Sequence, residues 1–157
     1  MTTVHTIDII DGAAREAAHR STEAAVARRA PSPGRRYLAA LAVRDFEALA
    51  RLLAPDVWLR ALLPRHLDEH YGAGETVGAL RGWYGGATAF QVLALDHDVA
   101  GHKERVRYRF LLRPDWAPDT PHLIEQQAYL SVADGVIRKI DLVCTGFMPV
   151  DGGTPPA

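Results

Sequence analysis

The side chains best placed for chemistry lie in LIEQQAYLSVADGVIRKIDLVCTGF, Leu123 to Phe147, which holds Glu125, Gln127, Tyr129 and the chain's single thiol, Cys144. Asp134-Gly135 predicts a two-residue hairpin turn, because both central positions need positive φ and this pair tolerates it. Pairing outward from that turn sets Tyr129 opposite Ile140, Gln127 opposite Leu142 and Glu125 opposite Cys144. One face then mixes Ile140, Leu142 and Cys144 with three polar residues, while the other carries Gln126, Lys139 and Asp141 and reads as the outer one. Dry, unpaired polar groups on an inner face are costly. That face is therefore expected to line a pocket holding water or ligand. His97 falls on the face of Leu93, Leu95 and Val99, as either a hydrogen-bonded core residue or a proton carrier. Cys144, beside Leu142 and Val143, reads as a small buried hydrophobe rather than a nucleophile.

One short motif could hold a metal. His66-Leu67-Asp68-Glu69-His70 fits H-x-x-E-H, whose two histidines bind zinc from adjacent turns of a helix. Pro64 before it and Gly72 and Gly74 after it leave about two helical turns, and no third ligand is evident. The stretch reads as a polar loop at the pocket mouth, offering His66, His70 or Tyr71 to a ligand. No metal and no cofactor is expected; P-loop, G-x-G-x-x-G and G-x-S-x-G motifs are absent.

The elements that must position these residues follow from periodicity. Leu38, Leu41, Phe46, Leu49, Leu52 and Leu53 recur at helical spacing, as two pieces hinged around Arg44-Asp45. Val57 to Leu63 is a short strand stopped by Pro64, and Glu75 to Tyr84 a helix bounded by glycines. From Ala89 onward the period is two: strands are expected over Ala89 to Ala100, Arg105 to Arg113, Leu123 to Val132 and Val136 to Phe147. In the second of these, Val106, Tyr108 and Phe110 face inward and Arg105, Arg107 and Arg109 face solvent or a partner subunit. Helices followed by an antiparallel run predict an α+β domain with helices on one face of a curved sheet. Trp58 and Trp83 are core residues that would narrow an aromatic-lined cavity.

Composition bounds the rest. A chain of 157 residues with net charge −1 is one domain with no polyanionic partner, so no nucleic acid is expected. One cysteine excludes an intramolecular disulfide and fits a reducing cytoplasm. Neither a secretory signal nor an apolar run of membrane-helix length is present, so a soluble cytoplasmic protein without membrane contact is expected. Residues 1–34 read as an N-terminal extension, partly helical or disordered and closing on Pro31-Ser32-Pro33-Gly34, which cannot continue a helix. Residues 35–150 read as the folded domain and the Gly/Pro-rich 151–157 as a disordered tail.

The segments RRYLAALAVRDFEALARLLAPDVWL, GETVGALRGWY and DGVIRKIDLVCTGF resemble the nuclear transport factor 2-like superfamily, which includes ketosteroid isomerases, limonene epoxide hydrolases and polyketide cyclases of the SnoaL-like type. The resemblance spans Arg35 to about Val150. It implies a cone, a bent sheet wrapped around N-terminal helices and open at one end, paired as a homodimer through the sheet's outer face. It is specific for fold and not for activity. Tyr37 falls where ketosteroid isomerases place the tyrosine that hydrogen-bonds the developing enolate oxygen. Their general-base aspartate falls on Ala61, which cannot take a proton, and their second oxyanion donor on Gln127, which can donate but not titrate. Steroid isomerisation in that manner is not supported. The strand that should carry the hydrolases' Arg-x-Asp pair reads RVRYRF, without an acid, and Asp141, one residue from the other aspartate, points outward.

The reading is a small-molecule-binding protein, as a cyclase- or isomerase-type enzyme of secondary metabolism. Tyr37, His97, Glu125 and Gln127 would be its catalytic groups and Trp58, Trp83, Tyr108, Tyr129, Leu142 and Cys144 its pocket wall. Its partner would be a small apolar or polyketide-like molecule. The alternative is a non-catalytic binding or dimerisation module.

Overall fold

The computed structural model of the protein describes residues 13–21 and 30–151. The chain divides into two units, Met1–Pro31 and Ser32–Ala157. In the first, residues 13–21 form an exposed helix, α1; the tail expected to be disordered lies, from residue 152, outside the described residues.

In the second unit Ser32-Pro33-Gly34 opens a helix. The Ser32 hydroxyl accepts from the Arg35 amide and Pro33 stands in the first turn of α2 (Pro33–Ala42), where its missing N–H costs nothing. The expected hinge follows: Arg44 takes φ 55°, and Asp45 caps α3 (Phe46–Leu52) by accepting from the Ala48 amide. Arg44 holds this left-handed conformation while its guanidinium donates to the carbonyls of Tyr84 and Ala87 at 3.2 and 3.0 Å and lies over Phe90. The last helix, α4, is Ala73–Tyr84.

Seven strands form one mixed sheet: β1 (Leu53–Leu63), β2 (His66–Tyr71), β3 (Ala89–Ala100), β4 (Lys103–Arg113), β5 (His122–Ala133), β6 (Val136–Cys144) and β7 (Met148–Pro149). The order is β2-β1-β6-β5-β4-β3, with β7 on the end of β5 and β1 parallel to β6. Tyr37, Leu41, Leu49, Leu80 and Tyr84 of the helices meet Leu59, Val106, Tyr108, Phe110, Leu130 and Ile140 of the sheet in one buried core. Each such side chain contributes about 1.5–3 kcal/mol by leaving water. The architecture is the expected α+β one. Among the described residues, no helix is long and apolar enough to cross a membrane.

Two expectations are corrected. The polar loop at His66 to Tyr71 is strand β2, joined to β1 by a Pro64-Arg65 turn with Arg65 at φ 78°. On a strand, His66 and His70 are about 13 Å apart rather than one helical turn. The second correction is the register of the β5–β6 hairpin. Asp134 and Gly135 do form the two-residue turn, at φ 53° and 75°, and Val132 does pair with Ile137. Beyond that pair Ser131 faces Lys139, so Arg138 is an extra residue, a β-bulge. A one-residue slip exchanges the faces of everything that follows. Leu130 therefore faces Ile140, Ala128 faces Leu142 and Gln126 faces Cys144. The reason lies in β6: Ile137 and Ile140 are three residues apart, so strict alternation would expose one of them. With the bulge both are fully buried.

Candidate functional site

A cavity of about 200 Å³ opens at the end of the sheet where β1, β5 and β6 meet α4. Its wall is Leu63, Pro64 and His66 from the first hairpin, Trp83 from α4, Ile124 and Gln126 from β5, and Cys144, Gly146 and Phe147 from β6 and its exit. Gly146 sits at φ 78°, and a Cβ on it would lie 2.7 Å from the Pro64 ring. Only glycine gives this turn both its left-handed backbone and its closeness to Pro64.

The wall is apolar apart from His66, Cys144 and Gln126, the last of which is 1% exposed. A directed chain of hydrogen bonds fixes its amide. The Tyr108 hydroxyl donates to Gln126 Oε1 at 2.5 Å, and the Tyr37 hydroxyl lies 3.4 Å from that of Tyr108. With the Tyr108 proton committed to Gln126, Tyr37 is the donor in the second bond. Gln126 Nε2 in turn donates to Cys144 Sγ at 3.3 Å, and the Gly146 amide donates to the same sulfur at 3.2 Å. Burial pushes the Tyr37 phenol up to about 12, against a smaller opposing effect of the Tyr108 hydrogen bond. Burial likewise holds Tyr84 and Tyr108 well above the ordinary phenol range. All three remain neutral donors at physiological pH. The Tyr84 ring is fully buried against Phe90 and Phe110, and its hydroxyl has no partner in hydrogen-bond geometry.

The structure brings together some of the expected residues and separates others. Trp83, Cys144 and His66 line the cavity; Tyr37 and Tyr108 are buried behind it and reach it through Gln126; Leu142 is buried on the inner face. Glu125, Gln127 and Tyr129 were expected inside and lie outside, because of the Arg138 bulge. Glu125 is held by Arg109 at 2.8 Å and Arg107 at 3.1 Å, Gln127 donates to the Tyr129 hydroxyl at 3.3 Å, and Tyr129 borders an outer groove with Arg60, Leu62 and Leu67. Trp58 also faces outward, since Val57, Leu59 and Ala61 take the inner positions of β1; it stacks on Tyr71 with Lys139 Nζ 4.4 Å from its ring. His70 bonds Asp68 at 3.1 Å, and neither it nor Tyr71 lines the cavity.

His97 serves another end of the domain. Its Nε2 lies 2.6 Å from Glu104 Oε2 and 3.2 Å from the Ser32 hydroxyl. The same carboxylate oxygen accepts from Ser32 Oγ and the Gly34 amide at 2.7 and 3.0 Å. A helix N-terminus favours such a negative partner, so His97 and Glu104 tie the start of α2 to the sheet. Asp141 points outward as expected: burial raises its carboxyl, but hydrogen bonds from Lys139 and Lys103 outweigh that and hold it below the usual range. Among the described residues, no three His, Cys, Asp or Glu side chains gather as a metal site would require.

Gln126 is the site residue that strict alternation from the turn missed. Ile124, Ala128 and Leu130, apolar at two-residue spacing on β5, were the signal that could have placed it inside.

No family model matches the chain, and no curated protein matches it. Solved structures do. A Kribbella flavida protein provisionally named a ketosteroid isomerase is 22% identical over 80% of each chain, with a TM-score of 0.53. A Xanthomonas campestris protein provisionally named a polyketide cyclase is 18% identical, covering 69% of this chain and 84% of its own, with a TM-score of 0.57. A Catenulispora acidiphila protein of ketosteroid isomerase-like fold, solved with trimethylamine, is 17% identical over 73% of this chain and 85% of its own, with a TM-score of 0.57. At these identities the likeness is one of fold.

Proposed function

We propose that this chain, which has the ketosteroid isomerase-like fold of the nuclear transport factor 2-like superfamily, binds a small, neutral, largely apolar molecule that carries one carbonyl oxygen. The orientation of Gln126 carries the reading. Its Oε1 is taken by Tyr108, which turns Nε2 toward Cys144 and the cavity. One N–H goes to sulfur and the second is left for an acceptor. A largely apolar wall on which Gln126 is the buried, oriented donor favours one acceptor on the ligand and disfavours charge, which would be buried unpaired. The cavity, about 200 Å³, is below the roughly 300–1,000 Å³ of drug-sized pockets, so the ligand is of monocyclic size. Tyr37 acts at one remove, by fixing the Tyr108 hydroxyl.

Titration of the protein with cyclohexanone and with methylcyclohexane, followed by ligand-observed NMR, tests this. Gln126→Met should weaken the ketone and leave the hydrocarbon unchanged; equal effects on both would remove the oxygen-recognition role.

A second reading, an isomerase- or cyclase-type enzyme, is favoured by His66, whose imidazole stands on the cavity wall and could move a proton on a ligand polarised by Gln126. Product formation that survives His66→Ala would remove His66 from that role, and ligand binding with no product from the unmodified chain would exclude the enzyme. Leu62, Leu67 and Val143 are exposed on the sheet's outer face, and we propose this face as the homodimer contact; sedimentation of Leu62→Asp against the unmodified chain checks it.

A further inference from the structure

We infer that Glu104 is a positioning residue for the carbonyl site: by clasping the start of α2 it keeps Tyr37 donating at the head of the relay, and so decides that Gln126 shows the cavity a donor rather than an acceptor. This rests on the carbonyl-binding reading and adds what sets its polarity. One oxygen of the Glu104 carboxylate accepts from His97 Nε2 at 2.6 Å, the Ser32 hydroxyl at 2.7 Å and the Gly34 amide at 3.0 Å. The Glu104 side chain is 13% exposed and that of His97 10%, so water and salt weaken these charge-assisted bonds little. Gly34 makes the approach possible, since a Cβ there would run into the carboxylate and stand 3.0 Å from His97 Cδ2.

The same strand holds α2 a second time. Glu104, Val106 and Tyr108 alternate onto the inner face of β4, and Glu104 and Tyr108 are about 13 Å apart along it. On α2, Gly34 and Tyr37 are three residues apart and share one side of the helix. The helix is thus pinned to β4 at two points, Gly34 on Glu104 and Tyr37 on Tyr108, which fixes both its height and its rotation. The second point is the sensitive one. At 3.4 Å the Tyr37–Tyr108 bond is longer than the roughly 2.5–3.0 Å usual between hydroxyls, so a small slide of α2 ends it. What is lost then is direction. Each phenol has one proton. While Tyr37 donates to Tyr108, Tyr108 sends its own proton to Gln126 Oε1 and the amide turns Nε2 toward Cys144. Without that donor Tyr108 is free to accept, and the amide is free to turn over, with Nε2 to the phenol and Oε1 to the cavity. The site then favours a hydroxyl over a carbonyl oxygen, while its apolar wall is unchanged.

The test is ligand-observed NMR on the full chain with cyclohexanone, cyclohexanol and methylcyclohexane. Glu104→Ala and Gly34→Ala should each lower the ratio of ketone to alcohol affinity about fivefold, the size of one net hydrogen bond, and leave methylcyclohexane as it was. Gly34→Ala displaces only the far end of a side chain and puts a better helix former into α2, so it should fold even where Glu104→Ala does not. Glu104→Gln, which keeps an acceptor for Ser32 and Gly34, should hold the ratio of the unmodified chain, and Tyr37→Phe should lower it as the clasp variants do. A merely structural clasp would weaken all three ligands together. That result, or an unchanged ratio in Gly34→Ala, overturns the positioning role while ketone binding by the unmodified chain stands. If the unmodified chain holds cyclohexanone no better than methylcyclohexane, the carbonyl reading has failed and the inference falls with it.

Discussion

Tyr108 and Gln126, neighbours across β4 and β5, share a buried hydrogen bond of 2.5 Å from the phenol to Oε1. That bond decides which end of the amide faces the cavity. In Tyr108→Phe, Oε1 loses its donor and the amide is no longer oriented. We expect a loss of about 1–3 kcal/mol from the unsatisfied acceptor, read by urea unfolding, together with weaker ketone binding. Tyr84→Phe is the contrast: its hydroxyl has no partner to lose, so stability should be unchanged or slightly raised.

Deleting Arg138 removes the extra residue, so that Ile137 and Ile140 become two positions apart and share the inner face of β6 without a bulge. Both isoleucines should stay buried and Ser131 should still face Lys139. Stability in urea and the amide-exchange pattern along β5 and β6 should therefore be largely kept. Faster exchange along both strands would show that the bulge does more than bring the two isoleucines to one face.

Gly146→Ala forces a side chain into the left-handed region and against Pro64. The backbone contribution alone is about 1–2 kcal/mol. Thermal unfolding should register it, and uptake of cyclohexanone should fall because Pro64 and Gly146 are both wall residues.

Asp141 predicts part of the acid limb. Its folded-state carboxyl is held below its ordinary value of 3.8 by Lys139 and Lys103, so the unfolded chain binds that proton first as pH falls. The ion pairs contribute fully above the ordinary value, and the contribution is lost as pH drops through the lowered one. Asp141→Asn should therefore flatten the stability profile below about pH 4 and change little in how stability varies near neutrality.

Glu125→Gln should leave ligand binding unchanged, since the side chain pairs with Arg107 and Arg109 on the outer face. Its stability cost should stay within about 1 kcal/mol. A large loss of ketone affinity would contradict the register described for β5.

Much of the scaffold was legible because it depends on neighbours in sequence. The hinge at Arg44-Asp45, the turn at Asp134-Gly135 and the full extent of β3 each follow from local backbone preference and periodicity. Two things were not. HLDEHY gives little apolar signal because β2 is an edge strand, bonded only to β1, and its polar residues read as loop. The bulge at Arg138 follows from a tertiary demand, the burial of both Ile137 and Ile140, which strict alternation overrides on paper. From that single residue came the exchange of Glu125, Gln127 and Tyr129 for Gln126. The Tyr37–Tyr108–Gln126 chain joins three separate elements and could only be seen folded.

The polar relay enters this cavity from behind, while Leu63, Trp83 and Phe147 close it from the other sides. Skeleton and functional group are thus selected by different residues. Descendants of this chain could change the carbon framework they accept by trading bulk at those three positions, and keep their chemical taste intact.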